Sequence, residues 1–192
     1  MLSATGGVNT HRGAIFGLGL LCAAASARAG RRIDPRLSLG SIVARLWGVG
    51  ILEGPVLLRS HGSDVRRRHG AGGARMEAAR GFPTLYQVGR PTLARATLEA
   101  PENAAAARVE TCFALIAVLE DTNLLHRGGR SGLDFARHTA RRFIEAGGVA
   151  ASDWRHRAHV AHESFVARRL SPGGSADLLA MTLFVTAYEG QS

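Results

Sequence analysis

Residues 101–120 read PENAAAARVETCFALIAVLE. Pro101 and Asn103 open the stretch as a turn and a helix N-cap do, and the run behind them is of helix length, rich in Ala and Leu, with no alternation of polar and apolar residues. The stretch predicts a helix over 104–120. The same texture recurs to either side, broken by glycines. It predicts helices over 13–28, 38–58 (weakened by Gly48, Gly50 and Gly54), 74–80 ending at Gly81, and 83–97 opened by Pro83. Further helices are expected over 133–146 before Gly147 and Gly148, from Ser152 or Asp153 to 170, and over 175–188 with Ser175 as cap. No strand pattern and no internal repeat competes, so the expected fold is all-α, a compact multi-helix bundle of one domain over 1–192.

Composition agrees with a globular chain: 46% hydrophobic and 20% charged over 192 residues. A domain of this size buries roughly 70% of the surface its unfolded chain exposes and needs no disulfide or metal staple. The net charge is +9, and the sequence has no lysine, so all 24 Lys/Arg positions are Arg. Mechanisms that need a phosphate-binding lysine, a Schiff base or a lysine amine are thereby excluded. Arginine forks suit phosphate and carboxylate, although a general bias toward Arg and Ala also accounts for the count. A nucleic-acid-binding role would suit the charge, but aromatic residues are only 6% and no reading motif is present. Cys22 and Cys112 both lie in apolar helical stretches and read as small buried hydrophobes, compatible with a reducing cytoplasm. The apolar run after His11-Arg12, ending in Ala25-Ser26-Ala27, has the look of a secretion signal, with a buried core helix as its rival.

Four polar, glycine-containing segments stand out. Residues 6–13, GGVNTHRG, precede the first helix; Asn9, Thr10, His11 and Arg12 either assist an anion at the helix start or cap an ordinary one. Residues 121–129, DTNLLHRGG, place Asp121, Asn123, His126 and Arg127 ahead of Gly128 and Gly129. Asp121 can take a proton or hold a cation and Arg127 can grip phosphate, unless the segment is only a helix stop with a solvated turn. Residues 171–177, SPGGSAD, let backbone at Gly173 and Gly174 approach a ligand, or simply set Ser175 as a cap with Asp177 favoured by the helix dipole. Residues 72–83, GGARMEAARGFP, carry Arg75 and Glu77 behind a polar loop, 61–73, that contains Arg66, Arg67 and Arg68; scattered surface charge is the plainer reading. The group His156, His159 and Glu163 shares a helical face, for which a solvated face is a better account than a metal site.

Taken together and in this order, the segments resemble the triphosphoribosyl-dephospho-CoA synthase family. The resemblance implies a transferase that makes 2′-(5″-triphosphoribosyl)-3′-dephospho-CoA and adenine from ATP and 3′-dephospho-CoA. The product is the prosthetic-group precursor for an acyl carrier protein of malonate decarboxylase or citrate lyase. It also implies a core helix, not a signal, after Arg12, and a cytoplasmic protein without nucleic-acid or membrane partners. The resemblance locates the site without assigning roles; the needs of that reaction, a carboxylate beside an oxocarbenium-like carbon and a base for the 2′-hydroxyl, make Asp121, then Glu77, the expected base or charge stabiliser. Arg12, Arg75 and Arg127 are expected at the triphosphate, and Asn9, Thr10, His11, Asn123 and His126 orient ribose or phosphate. Gly128, Gly129, Gly173, Gly174 and Ser175 complete the nucleotide site, and Mg²⁺ is expected with ATP, at Asp121 and Asp177. Members of the family carry a further segment ahead of the Asn-Thr-His loop, so the expectation is of an N-terminally incomplete chain of low activity, in the extreme an inactive fragment.

Overall fold

The structure, a computed structural model, describes residues 12–30, 33–55 and 72–190. The readings placed on Asn9, Thr10, His11 and Arg66–Arg68 lie outside them. The described residues form eight α-helices: α1 (Arg12–Ala29), α2 (Leu39–Glu53), α3 (Gly73–Ala79), α4 (Arg90–Glu99), α5 (Ala104–Val118), α6 (Thr122–Glu145), α7 (Trp154–Ala167) and α8 (Gly173–Glu189). A π-helical turn, Leu85–Gly89, leads into α4, and a 3₁₀ turn, Gly148–Ala150, precedes α7. No strand occurs among the described residues.

Local chemistry explains most of the boundaries. Ser38 caps α2 by accepting from Ser41 N–H, and Asn103 caps α5 by accepting from Ala106 N–H. α2 ends at Glu53, short of the expected 58, because the Arg75 guanidinium takes up its terminal carbonyls: Nη2 donates to Gly54 O at 2.8 Å and Nε to Ile51 O at 2.9 Å. The turn after α3 is tight. Gly81 and Phe82 both have positive φ, 79° and 60°, and Glu77 accepts from Thr84 N–H at 2.7 Å and from Thr84 Oγ at 3.1 Å, fastening the turn. α2 crosses it so closely that a Cβ on Gly40 would stand 2.2 Å from Gly81 O.

Two large apolar clusters organise the helices, with a third, small one of Leu93, Ala96 and Ala107 between α4 and α5. One gathers Phe113, Ile116, Leu124, Leu125, Leu133, Phe143 and Phe165, from α5, α6 and α7. The other gathers Leu21, Leu39, Ile42, Phe82, Leu85, Met181 and Val185, from α1, α2, α8 and the turn between α3 and α4. α5 contributes to both, because Leu115 faces the second cluster while Phe113 and Ile116 face the first. α1 and α8 run parallel: Gly17 meets Met181, and Tyr188 Oη donates to Ala25 O at 3.2 Å. The apolar run behind Arg12 is thus a packed helix, with Leu21 and Ala24 fully buried. No described helix is long and apolar enough to cross a membrane.

Three expectations need correction. Residues 121–129 are not a helix stop with a solvated turn: α6 starts at Thr122, and Leu124 and Leu125 are buried in the first cluster. The glycine pair produces only a break within the helix, where Gly129 adopts φ 60° and ψ −160°. Ser175 does not cap the last helix, which begins two residues earlier at Gly173. Cys22 is exposed, because the buried face of α1 carries Leu21, Ala24 and Ala25 and turns position 22 outward. Cys112 is half-buried, and burial, with Asp121's charge second, pushes its thiol up to about 11.

Candidate functional site

Asp121 is the N-cap of α6. Its Oδ1 accepts from Asn123 N–H at 2.9 Å and from Leu124 N–H at 3.4 Å. Its Oδ2 accepts from the N–H of Ser175 at 2.9 Å and from the Ser175 hydroxyl at 3.1 Å. A carboxylate offers about four lone-pair directions, and here each has a donor. The residue is 1% exposed. Burial raises its pKa, opposed by the donated hydrogen bonds from Ser175, Asn123 and Gly174.

Around this carboxylate the separated segments meet. A Cβ on Gly174 would stand 3.1 Å from Asp121 Cγ, and one on Gly173 would stand 2.5 Å from Asn123 Nδ2. The backbone of 173–174 therefore lies directly on the Asp121 and Asn123 side chains, an approach only glycine permits. The contacts continue on both sides: Gly13 faces Asp177, where a Cβ would be 2.0 Å from Oδ2, and Gly73 faces Thr122, 3.0 Å from its Cγ2. The N-termini of α1, α8, α6 and α3 thus form one contiguous group. Each brings the positive end of a helix dipole; at α6 and α8 the Asp121 carboxylate already takes the first N–H groups, and Asp177 stands against the start of α1.

The side chains expected there divide into those that join the group and those with other employment. Asn123 and Ser175 belong to it, Ser175 through Asp121 and not as a cap. Arg12, at the start of α1, is exposed, as are His126 and Arg127 on the first turns of α6. Arg127 makes no hydrogen bond or ion pair among the described residues. Gly128 and Gly129 sit at the break in α6; Gly128 is crowded by Leu170, while a Cβ on Gly129 would meet open space. Arg75 is two residues inside α3 but is turned to the end of α2, so its phosphate role is replaced by a helix-capping one in this structure. Glu77 is half-buried, and its oxygens accept from the Thr84 N–H and hydroxyl. Burial raises its pKa, against which the Thr84 donors, the Leu85 N–H and Arg80 act.

The residue pattern gave no sign of the Asp121–Ser175 contact, which spans 54 positions, or of Thr122 as the neighbour of Gly73. The Asp-Thr-Asn order was nevertheless a readable cap signal, since Asp followed by free helical N–H groups is a preferred N-cap. A metal cage does not fit the described residues. Asp121 has no lone pair left for a cation, and no group of three or more His, Cys, Asp or Glu residues is arranged to hold one.

The chain is an all-helical domain with helix N-termini gathered on one polar junction. The family model described as ATP:dephospho-CoA triphosphoribosyl transferase matches residues 1–192, and the chain belongs to that family. It is 44% identical over 188 residues to a protein of Pseudomonas aeruginosa (strain UCBPP-PA14), covering 96% of this chain and 62% of that one. It is 41% identical over 194 residues to a protein of Pseudomonas fluorescens (strain Pf0-1), covering 98% and 64%, and 43% identical over 190 residues to one of Azotobacter vinelandii, covering 98% and 64%. All three relatives are named probable 2-(5″-triphosphoribosyl)-3′-dephosphocoenzyme-A synthase. The chain spans less than two thirds of their length. No solved structure matches it.

Proposed function

We propose that the junction of the four helix N-termini binds the triphosphate of ATP and serves transfer of its triphosphoribosyl group to 3′-dephospho-CoA. In that reaction the 2′-hydroxyl oxygen of dephospho-CoA bonds to the anomeric carbon of the ATP ribose. The bond from that carbon to adenine N9 breaks, and the hydroxyl proton leaves with adenine. The observation that carries the proposal is the contact series from Gly13 and Asp177 through Gly173–Gly174 and Asp121–Asn123 to Thr122 and Gly73.

The chemistry asks for two things, a stable seat for the triphosphate and a group that takes the hydroxyl proton. The exposed guanidinium groups of Arg12, at the start of α1, and of Arg127, on α6, answer the first, while the N–H groups of Asn123, Leu124 and Ser175 are held by Asp121. For the second, Glu77 is better suited than Asp121. Its oxygens carry fewer donors and it is less buried than Asp121, and burial raises its pKa toward the operating range of a general base, as it does for Asp121. Asn123 and His126 orient ribose or phosphate. Mg²⁺ enters on the phosphates of ATP, with most of its coordination from them and from water, as that ion prefers. The product belongs, on this proposal, to the prosthetic-group supply of a malonate decarboxylase or citrate lyase acyl carrier protein in the cytoplasm.

Incubation with ATP and 3′-dephospho-CoA, with mass analysis of the products, tests the proposal. Adenine and the triphosphoribosyl adduct are expected in equal amounts. Release of phosphate or pyrophosphate in place of adenine would overturn the reaction class, and absence of both ATP binding and adenine release would overturn the assignment of the site.

A further inference from the structure

Two helices that meet at the junction come from different apolar clusters, α6 from the first and α8 from the second. Where their N-terminal turns touch, the glycines at 173 and 174 lie on the polar side chains of Asn123 and Asp121. At that contact the spacing is set by polar groups. The Asp121 carboxylate is the group with bonds to both: one oxygen to the first N–H groups of α6, the other to the Ser175 N–H and hydroxyl of α8.

We propose that Asp121 and Ser175 form a latch that sets the α6 and α8 N-termini relative to one another, making Asp121 a positioning residue and not the base or a metal ligand of the reaction. The inference rests on the triphosphate reading of the junction. It follows from the satisfied lone pairs and the closed surroundings. A base must reach the proton it takes, and a carboxylate with four donors at 2.9–3.4 Å and 1% exposure reaches nothing but those donors. What it does control is geometry. A displacement of about 1 Å at a reacting site costs on the order of 100-fold in rate even when no reacting group is lost. The latch also explains why both halves of Ser175 are used. Its N–H fixes the backbone of α8 and its hydroxyl fixes the orientation of the carboxylate.

The test uses the full chain with Asp121→Asn, Ser175→Ala and the double variant. Three readouts are followed: ATP affinity, the pH profile of adenine release, and hydrogen exchange of the Asn123, Leu124 and Ser175 amides. An amide in place of the carboxylate turns a donor toward N–H groups, so these amides should exchange faster in Asp121→Asn. ATP affinity should fall by about tenfold or more, and the acidic limb of the pH profile should stay where the wild type has it. Ser175→Ala, which keeps the backbone donor and guards against a failure of Asp121→Asn to fold, should show the same changes at smaller size. The double variant should be little worse than Asp121→Asn, because both substitutions remove one shared contact. Loss of the acidic limb with unchanged ATP affinity would make Asp121 the base and overturn the latch. So would unaltered exchange at Ser175, or fully additive losses. A wild-type chain that binds no ATP but shows the exchange pattern would overturn the triphosphate reading alone and leave the latch in place.

Discussion

At the scale of single residues, the site separates carboxylates by what their oxygens already hold. Glu77 accepts chiefly from the Thr84 N–H and hydroxyl and is half-buried; each Asp121 oxygen has two donors and the residue is closed off. Glu77→Gln should lower turnover by about 100-fold while leaving ATP affinity close to the wild-type value; near-normal turnover would remove Glu77 from proton transfer. Its titration also has a sign in stability. Burial raises the folded-state pKa, so the contribution of Glu77 is fully present below its unfolded value and is lost as pH rises through the folded one. Melting curves should therefore show the wild type gaining on Glu77→Gln as pH is lowered from 7 toward 4.5. A difference that shrinks on acidification would show that the hydrogen bonds from Thr84 outweigh burial. Arg127 is exposed without a partner among the described residues, so Arg127→Ala should weaken ATP binding several-fold and adenosine binding hardly at all. Equal losses for both ligands would assign it a structural role.

At the scale of elements, the helices were legible because each carries its own signals: Asn103 ahead of α5, Ser38 ahead of α2, Gly147 after α6. Misreadings arose where the deciding contact was distant. Residues 122–128 look like a loop beside Gly128-Gly129, but burial of Leu124 and Leu125 and the Asp121 cap hold them helical. Ser175 looks like a cap until its partner, 54 positions away, is known. Arg75 looks like a phosphate ligand until the end of α2 is seen to stop against it. That four segments belong together was visible from their shared polar, glycine-rich character; which atoms touch was not, since spacing along the chain says nothing of approach between helices. The crossing of α2 over the turn after α3 is a second case. Gly40 has no motif around it, yet its Cβ position is filled by Gly81 O at 2.2 Å and by Tyr86 Cε2 at 2.5 Å. Gly40→Ala must push α2 away from backbone that cannot swing aside, at a cost of about 1–3 kcal/mol. Chemical denaturation should show a lower midpoint with an unchanged slope. A stability equal to wild type would mean that α2 and the turn are not held at this distance in solution.

At the scale of the whole molecule, the junction lies where the two apolar clusters are joined, and that placement links ligand to global stability. α6 is anchored in the cluster of Phe113, Phe143 and Phe165, and α8 in the cluster of Leu21, Met181 and Val185. Between them stand α5, which contributes to both, and the polar contact of Asp121 with Ser175. A polyanion seated at the junction beside the exposed Arg12 and Arg127 would rest on both helices and so tie one cluster to the other. Because such a ligand binds the folded chain and not the unfolded one, saturating ATP should stabilise it. At 100 times the dissociation constant the gain is about 2.7 kcal/mol, which for a chain of this length is a rise in Tm of roughly 5–10 °C. Adenosine, which lacks the phosphates, should give much less. Hydrogen exchange should slow at the first turns of α6 and α8 together, since the same ligand closes both. Protection confined to the α2–α3 end, or a Tm that responds equally to ATP and adenosine, would place the nucleotide away from the junction and detach the triphosphate from the helix N-termini altogether.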